Sequence, residues 1–293
     1  MKKLLLSVFS LFILNTANAQ WISQSTPTIT NNLFSVFAIS PTAVAATGVT
    51  GAIRSLNAGS SWSQNVSLAG VNTFEIHTKH PTKWYILTQN SSWYIKMGFA
   101  SVTLNSGKPD SILSLHYIDQ SCAVAVGTAG KIEATCDTGA TWVPRTSGNV
   151  NNLNAIWFAD KDSGCAVGAT GTILRTKDAG LTWTVAPSGT SLNLNGIHFP
   201  TSTVGYVVGN GGKVLKSIDA GATWTNVPTG LLNTLNAVYF IDQDTGYVGG
   251  TNGLIMKTIN GGLNWNTMMT GTTQMINSIN FTTPVDGWAV GNG

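Results

Sequence analysis

The chain has 293 residues, 43% of them hydrophobic, and a formal net charge of +3. Only 9% are charged, against roughly 25% in ordinary soluble domains, and Asn, Thr, Ser and Gly fill the polar positions instead. So small a net charge excludes a basic field for nucleic acid or anionic lipid, and three cysteines exclude a full disulfide framework while leaving one bridge open.

At the N-terminus, Lys2 and Lys3 precede an apolar run from Leu4 to Leu14, and Ala17-Asn18-Ala19 forms a small-residue cleavage site before Gln20. The run is too short and wrongly flanked to cross a bilayer. It reads as a secretory signal over residues 1–19, so the mature chain starts near Gln20 and works in the periplasm, at the cell surface or in the medium. That mature chain keeps 13 basic and 12 acidic residues. No later stretch is apolar enough for a membrane span.

From residue 33 onward the sequence repeats with a period of 41. Units opening at Ile112, Leu153, Leu194 and Leu235 align without gaps, and their tryptophans Trp142, Trp183, Trp224 and Trp265 keep step. Degenerate units near Leu33 and Val71 and a start at Ile276 make seven. Each unit reads as four short strands. In the unit at Leu153 these are an apolar stretch (Leu153–Phe158) followed by the polar turn "DKDSG", a small-residue strand (Cys165–Val167) ending in a Gly turn, then Thr172–Thr176, and a last strand opened by Trp183. Helical 3.6-residue periodicity is absent. The expectation is an all-β, seven-bladed propeller of four-stranded antiparallel blades over residues 20–293. The N-terminal "QWISQSTPTITNNL" aligns with the last strand of a unit and is expected to close the ring. The final blade, Ile276–Gly293, lacks counterparts of Gly171–Lys177 and of the aspartate turn, so it is expected to be incomplete and the chain truncated.

"TCDTGATW", "TKDAGLTW" and "SIDAGATW" match the Asp-box pattern Ser/Thr-x-Asp-x-Gly-x-Thr-Trp, and "SLNAGSSW" and "TINGGLNW" carry Asn57 and Asn260 in the Asp place. Such boxes occur in sialidases, xyloglucan-type glycosidases and sortilin-like receptors. The whole unit, "LNAIWF…GCAVGATGTILRTKDAGLTW", most resembles the photosystem II stability/assembly factor family. That resemblance implies a seven-bladed propeller without enzymatic activity. The box residues Asn57, Asp137, Asp178, Asp219 and Asn260, with Trp62, Trp142, Trp183, Trp224 and Trp265, are read as turn fasteners. Five copies around a ring and Asn in two of them suit a fold role better than an active site.

Other chemistry has weak support. The turns at 160–164 and 242–246 imitate an EF-hand start, but Gly171 stands where the bidentate Glu belongs. The three arginines, Arg54, Arg145 and Arg175, fall on third or outermost strands and do not form a sialidase triad. Glu75, Glu133 and Asp110 are the carboxylates clear of the repeat pattern. No catalytic residue, metal site or cofactor is assigned; zinc between His116 and His198 is an alternative. One first-strand position, aligned as Phe37, Glu75, His116, Trp157, His198, Tyr239 and Asn280, varies between units. It either contacts a ligand along the axis or fills the space between blades. Trp84, Trp93, Tyr94 and Phe99 in the degenerate unit form a second candidate patch, or else repack that blade. Loops such as "SGNVNN", "SGTSLN" and "TGLLNT" offer a presented face. The expected function is an exported, monomeric, non-catalytic scaffold with a protein partner. The alternatives are a carbohydrate-active propeller binding a glycan, or one module of a larger surface protein.

Overall fold

The computed structural model describes residues 2–5, 21–24, 32–49, 51–64, 69, 71–80, 83–88, 93–97, 102–105 and 112–293. In the unit at Leu153 the four strands are Leu153–Phe158, Gly164–Gly168, Ile173–Thr176 and Thr184–Val185, paired in that order and antiparallel throughout. Gly164–Gly168 is buried along its whole length, because a second strand is covered on both faces by neighbouring sheets. Its sequence "GCAVG" is accordingly small and apolar, without polar alternation. The inner strands follow one another around an axis, and Ile276–Phe281 packs against Leu33–Ala38 to close the circuit.

The expectation of seven equivalent blades is corrected to five. Sheets opening at Leu33, Ile112, Leu153, Leu194 and Leu235 are complete, wholly antiparallel and carry the Asp or Asn turn. The sheet of Thr73–His80, Lys83–Thr88, Trp93–Met97 and Val102–Asn105 is antiparallel, and the sequence between its last two strands holds no Asp box. The closing sheet is mixed, not antiparallel, and it is not one strand short. Between Gly287–Gly291 and Trp21–Gln24 lies Lys2–Leu5, from the stretch read as a leader, parallel to both neighbours. Its pairing supplies the third strand that the unit at Ile276 lacks.

Packing between sheets gives the fold its stability. Between the units at Leu153 and Leu194, Cys165, Val167, Leu194, Ile197, Phe199, Val207 and Trp224 form one buried cluster. Each fully buried large apolar side chain there contributes about 1.5–3 kcal/mol. The Trp224 ring meets Phe199 edge-on at 6.0 Å, and its Nε1 donates to the Gly221 carbonyl.

The aspartate turn is local. Asp178 Oδ1 accepts from Thr176 Oγ1 (2.7 Å) and from the Thr182 backbone N–H (2.9 Å), and Oδ2 accepts from Thr182 Oγ1. The Thr182 hydroxyl and amide hold this carboxyl below the usual aspartate range. At Asn57 the amide oxygen takes the same two bonds from Ser55 Oγ and Ser61 N. The residue after the aspartate is left-handed (Ala179, φ 57) and the next is Gly180 (φ 84), where a Cβ would crowd Val124. The Ala179 N–H donates to the Asp162 carbonyl, so this turn and the "DKDSG" turn lie on one face. On that same face Cys122 and Cys136 are disulfide-bonded, while Cys165 is buried and burial pushes its thiol up to about 12. Asp160 and Asp242 each accept two backbone N–H bonds within their own turns, a local use for carboxylates that imitate a calcium loop.

Candidate functional site

Around the axis lies a cavity of about 240 Å³ bordered by all seven inner strands. Every inner strand has a β-bulge at its second residue, seen as a register shift on the pairing strand. A bulge leaves one residue unpaired and re-aims its side chain. The bulged residues are Phe34, Phe74, Leu113, Asn154, Asn195, Asn236 and Asn277, and all seven line the cavity. The mouth is therefore divided: three successive apolar side chains on one side, four successive asparagines on the other. Phe34 and Phe74 lie 5.6 Å apart, and Phe74 (39%) and Leu113 (40%) stand exposed.

The inner edge of each sheet is an open edge, and side chains from the preceding sheet cap it. Asn154, Asn195 and Asn277 donate Nδ2 to the carbonyls of Leu194, Leu235 and Leu33, at 2.8–3.0 Å. A carbonyl only accepts, so these bonds fix which way each amide points. One residue further along the strand, Ser35, Ser114 and Ser278 accept at Oγ from the N–H groups of Ile76, Ile156 and Val36, each at 3.3 Å.

Glu75 stands in this serine row. The alignment that put it beside His116 and Trp157 is two residues out, because the second inner strand begins at Thr73; His77 occupies that place. Glu75 Oε2 accepts from the Leu115 N–H at 2.6 Å and Oε1 from Ser114 Oγ at 3.1 Å. Burial in the channel outweighs both bonds and pushes its carboxyl up to about 8, so it is largely protonated at neutral pH.

The remaining members of that aligned position form a belt of rings. Phe37, His77, His116, Trp157, His198 and Tyr239 succeed one another with centroids 4.4–5.1 Å apart. Asn280 completes the circuit by accepting the Ala38 N–H. His198 Nδ1 accepts from the Phe240 N–H, and burial lowers its pKa to about 3, which keeps it neutral. These side chains touch one another, which is the contact pattern of interblade filling, although all but His116 also border the cavity. Trp84 and Trp93 lie on paired strands of the second sheet, but their side chains, like all of Phe99 and Asp110, fall outside the described residues.

Arginines stay away from the axis. Arg175 Nε donates to the Ala220 carbonyl, tying its sheet to the next aspartate turn, and no Lys or Arg is among the cavity's lining residues. Glu133 pairs with Lys131 at 3.5 Å, away from the cavity. Among the described lining residues, Glu75 is the one carboxyl.

A family model described as photosynthesis system II assembly factor YCF48 matches residues 149–232, about two repeats. Among solved structures, YCF48 bound to D1 peptide superposes with a TM-score of 0.74 at 15% identity, covering 91% of this chain and 90% of that one. YCF48 from Cyanidioschyzon merolae gives 0.73 at 15% identity, covering 89% and 93%. The GH74 xyloglucanase from Xanthomonas campestris gives 0.70 at 13%, covering 89% of this chain but 51% of the enzyme. At such identities the likeness is one of fold. No curated protein matches the chain in sequence. No helix among the described residues is long and apolar enough to cross a membrane. The chain is thus an all-β propeller protein that resembles the YCF48-like photosystem II assembly factors, with that family's repeat over residues 149–232.

Proposed function

We propose that this protein is an exported, non-catalytic scaffold that binds a protein partner at the mouth of its axial channel. The observation that carries the reading is the bulge-built ring. Seven inner strands each aim one side chain at the mouth, and three of these are adjacent and apolar: Phe34, Phe74 and Leu113. An exposed apolar patch beside a polar half is the make-up of a protein-contact surface. The solved YCF48 complex with D1 peptide supports a peptide-like partner by analogy of fold. A glycosidase would need two carboxylates facing each other across a cleft, and the described lining offers Glu75 by itself.

The test is cross-linking and pull-down of partners by the full-length exported protein, beside Phe74→Ala. Loss of a specific partner with the variant still folded supports the scaffold. A partner retained by Phe74→Ala moves the contact surface elsewhere. Turnover of xyloglucan or a sialoside by the wild-type protein overturns the non-catalytic reading.

A further inference from the structure

Three features of the channel are left unused by a generic contact surface. The first is the direction of the asparagine amides. The Nδ2 groups of Asn154, Asn195 and Asn277 are spent on neighbouring carbonyls, and among the described residues no donor reaches their Oδ1 atoms. Three of the four asparagines in the polar half therefore present acceptor oxygens, while Asn236 Oδ1 already accepts from Asn195 Nδ2 at 3.4 Å. The second is Glu75. Serine does the same capping in three other sheets, at Ser35, Ser114 and Ser278, so a carboxyl is more than the fold requires here. Nothing among the lining residues supplies it with a cation. The third is Phe74, the bulged residue immediately before Glu75, whose ring lies 5.6 Å from Phe34 and lines the same cavity as that carboxyl. Acceptor oxygens, a carboxyl without a counter-ion and aromatic faces together suit one ligand chemistry. It is a primary ammonium on an aliphatic stem: a charge and N–H donors for the carboxylate and methylenes for the rings, in a mouth whose other half carries acceptor oxygens.

We propose that the channel mouth binds a primary ammonium on an aliphatic stem, with the stem against Phe34 and Phe74 and the ammonium at the Glu75 carboxylate. The cation restores the ionised form of Glu75, and the proton that the carboxyl carried goes to solvent. This inference rests on the scaffold reading, because it makes a lysine side chain the part of the partner that enters. A free alkyl diamine shares the chemistry and is the other source.

The experiment titrates the full-length protein with three probes: an Ala-Lys-Ala peptide blocked at both ends, its norleucine analogue, and 1,5-diaminopentane. Binding is read by calorimetry or by NMR shifts of Phe34 and Phe74. The lysine peptide is expected to bind at least tenfold more tightly than the norleucine peptide. If it exceeds the diamine, the ammonium arrives on a protein; if the diamine exceeds it, the ligand is a small amine. Glu75→Ser keeps the cap on Leu115 in the form that three other sheets use, and is expected to fold and to lose at least tenfold in lysine-peptide affinity. Equal binding of the lysine and norleucine peptides, or full affinity in Glu75→Ser, overturns the ammonium site. A partner lost on Phe74→Ala but kept on Glu75→Ser would overturn it while leaving the scaffold standing.

Discussion

The two levels of the channel, three residues apart on the same strands, are built by opposite rules. At the mouth, bulges turn Phe34, Phe74, Leu113 and four asparagines out of the sheet ladder and toward the axis. Deeper in, Phe37, His77, His116, Trp157, His198 and Tyr239 close on one another as a belt. Both levels vary between repeats, so variability alone does not mark a binding surface. What separates them is whether the variable side chains are spent on each other.

That contrast breaks most visibly at the belt. Trp157→Ala removes the ring between His116 and His198 and is expected to cost about 3 kcal/mol in denaturant unfolding. A cost below about 1 kcal/mol would mean that the belt does not hold the sheets together. Acid probes the same level. Burial lowers the His198 pKa to about 3 in the folded chain, against the ordinary imidazole value of about 6.5 when unfolded. The unfolded chain therefore takes up the proton first, and stability that is full above pH 6.5 falls as pH drops toward 3. The loss reaches about 3 kcal/mol by pH 4. His198→Gln should flatten that limb of the stability curve, and an unchanged limb would assign it elsewhere.

Smaller effects are expected outside the belt. Asp178→Ala leaves the Thr182 amide and two hydroxyls without their acceptor and should cost about 1–2 kcal/mol. Asp178→Asn should stay within about 0.5 kcal/mol, since Asn57 and Asn260 make the turn with an amide oxygen. Both are read by the thermal midpoint. At the mouth, Phe74→Ala should change stability least, by under about 0.5 kcal/mol, while removing partner binding. A stability loss as large as that of Trp157→Ala would make the mouth part of the core.

Much of this architecture was legible because the 41-residue period prints itself in the apolar strand starts and the tryptophans. The turn role of Asp178 was legible from its sister copies. Where the repeat weakens, the reading slips: with no tryptophan box to anchor it, the unit near Val71 was aligned two residues out, and Glu75 was placed in the belt. The mouth was missed for a different reason. A bulge is a property of pairing between two strands, and nothing in "LNAIWF" alone distinguishes Asn154 as the unpaired residue. The pairs "LF", "TF", "IL", "LN" and "IN" at the strand starts hold the signal, as a position that changes from apolar to amide halfway round the ring. Three cysteines left one bridge open, and the fold brings Cys122 and Cys136 together across one blade's two turns.

The strand Lys2–Leu5 is held to the closing sheet by backbone pairing, without a hairpin to either neighbour. Removing residues 1–19 would take this strand away. Trp21–Gln24 and Gly287–Gly291 would then face each other about 10 Å apart, two strand spacings, each with a row of N–H and C=O groups open to the gap. In the intact chain Lys2–Leu5 fills that gap, so the first residues of the sequence and the last strand before the C-terminus share one sheet.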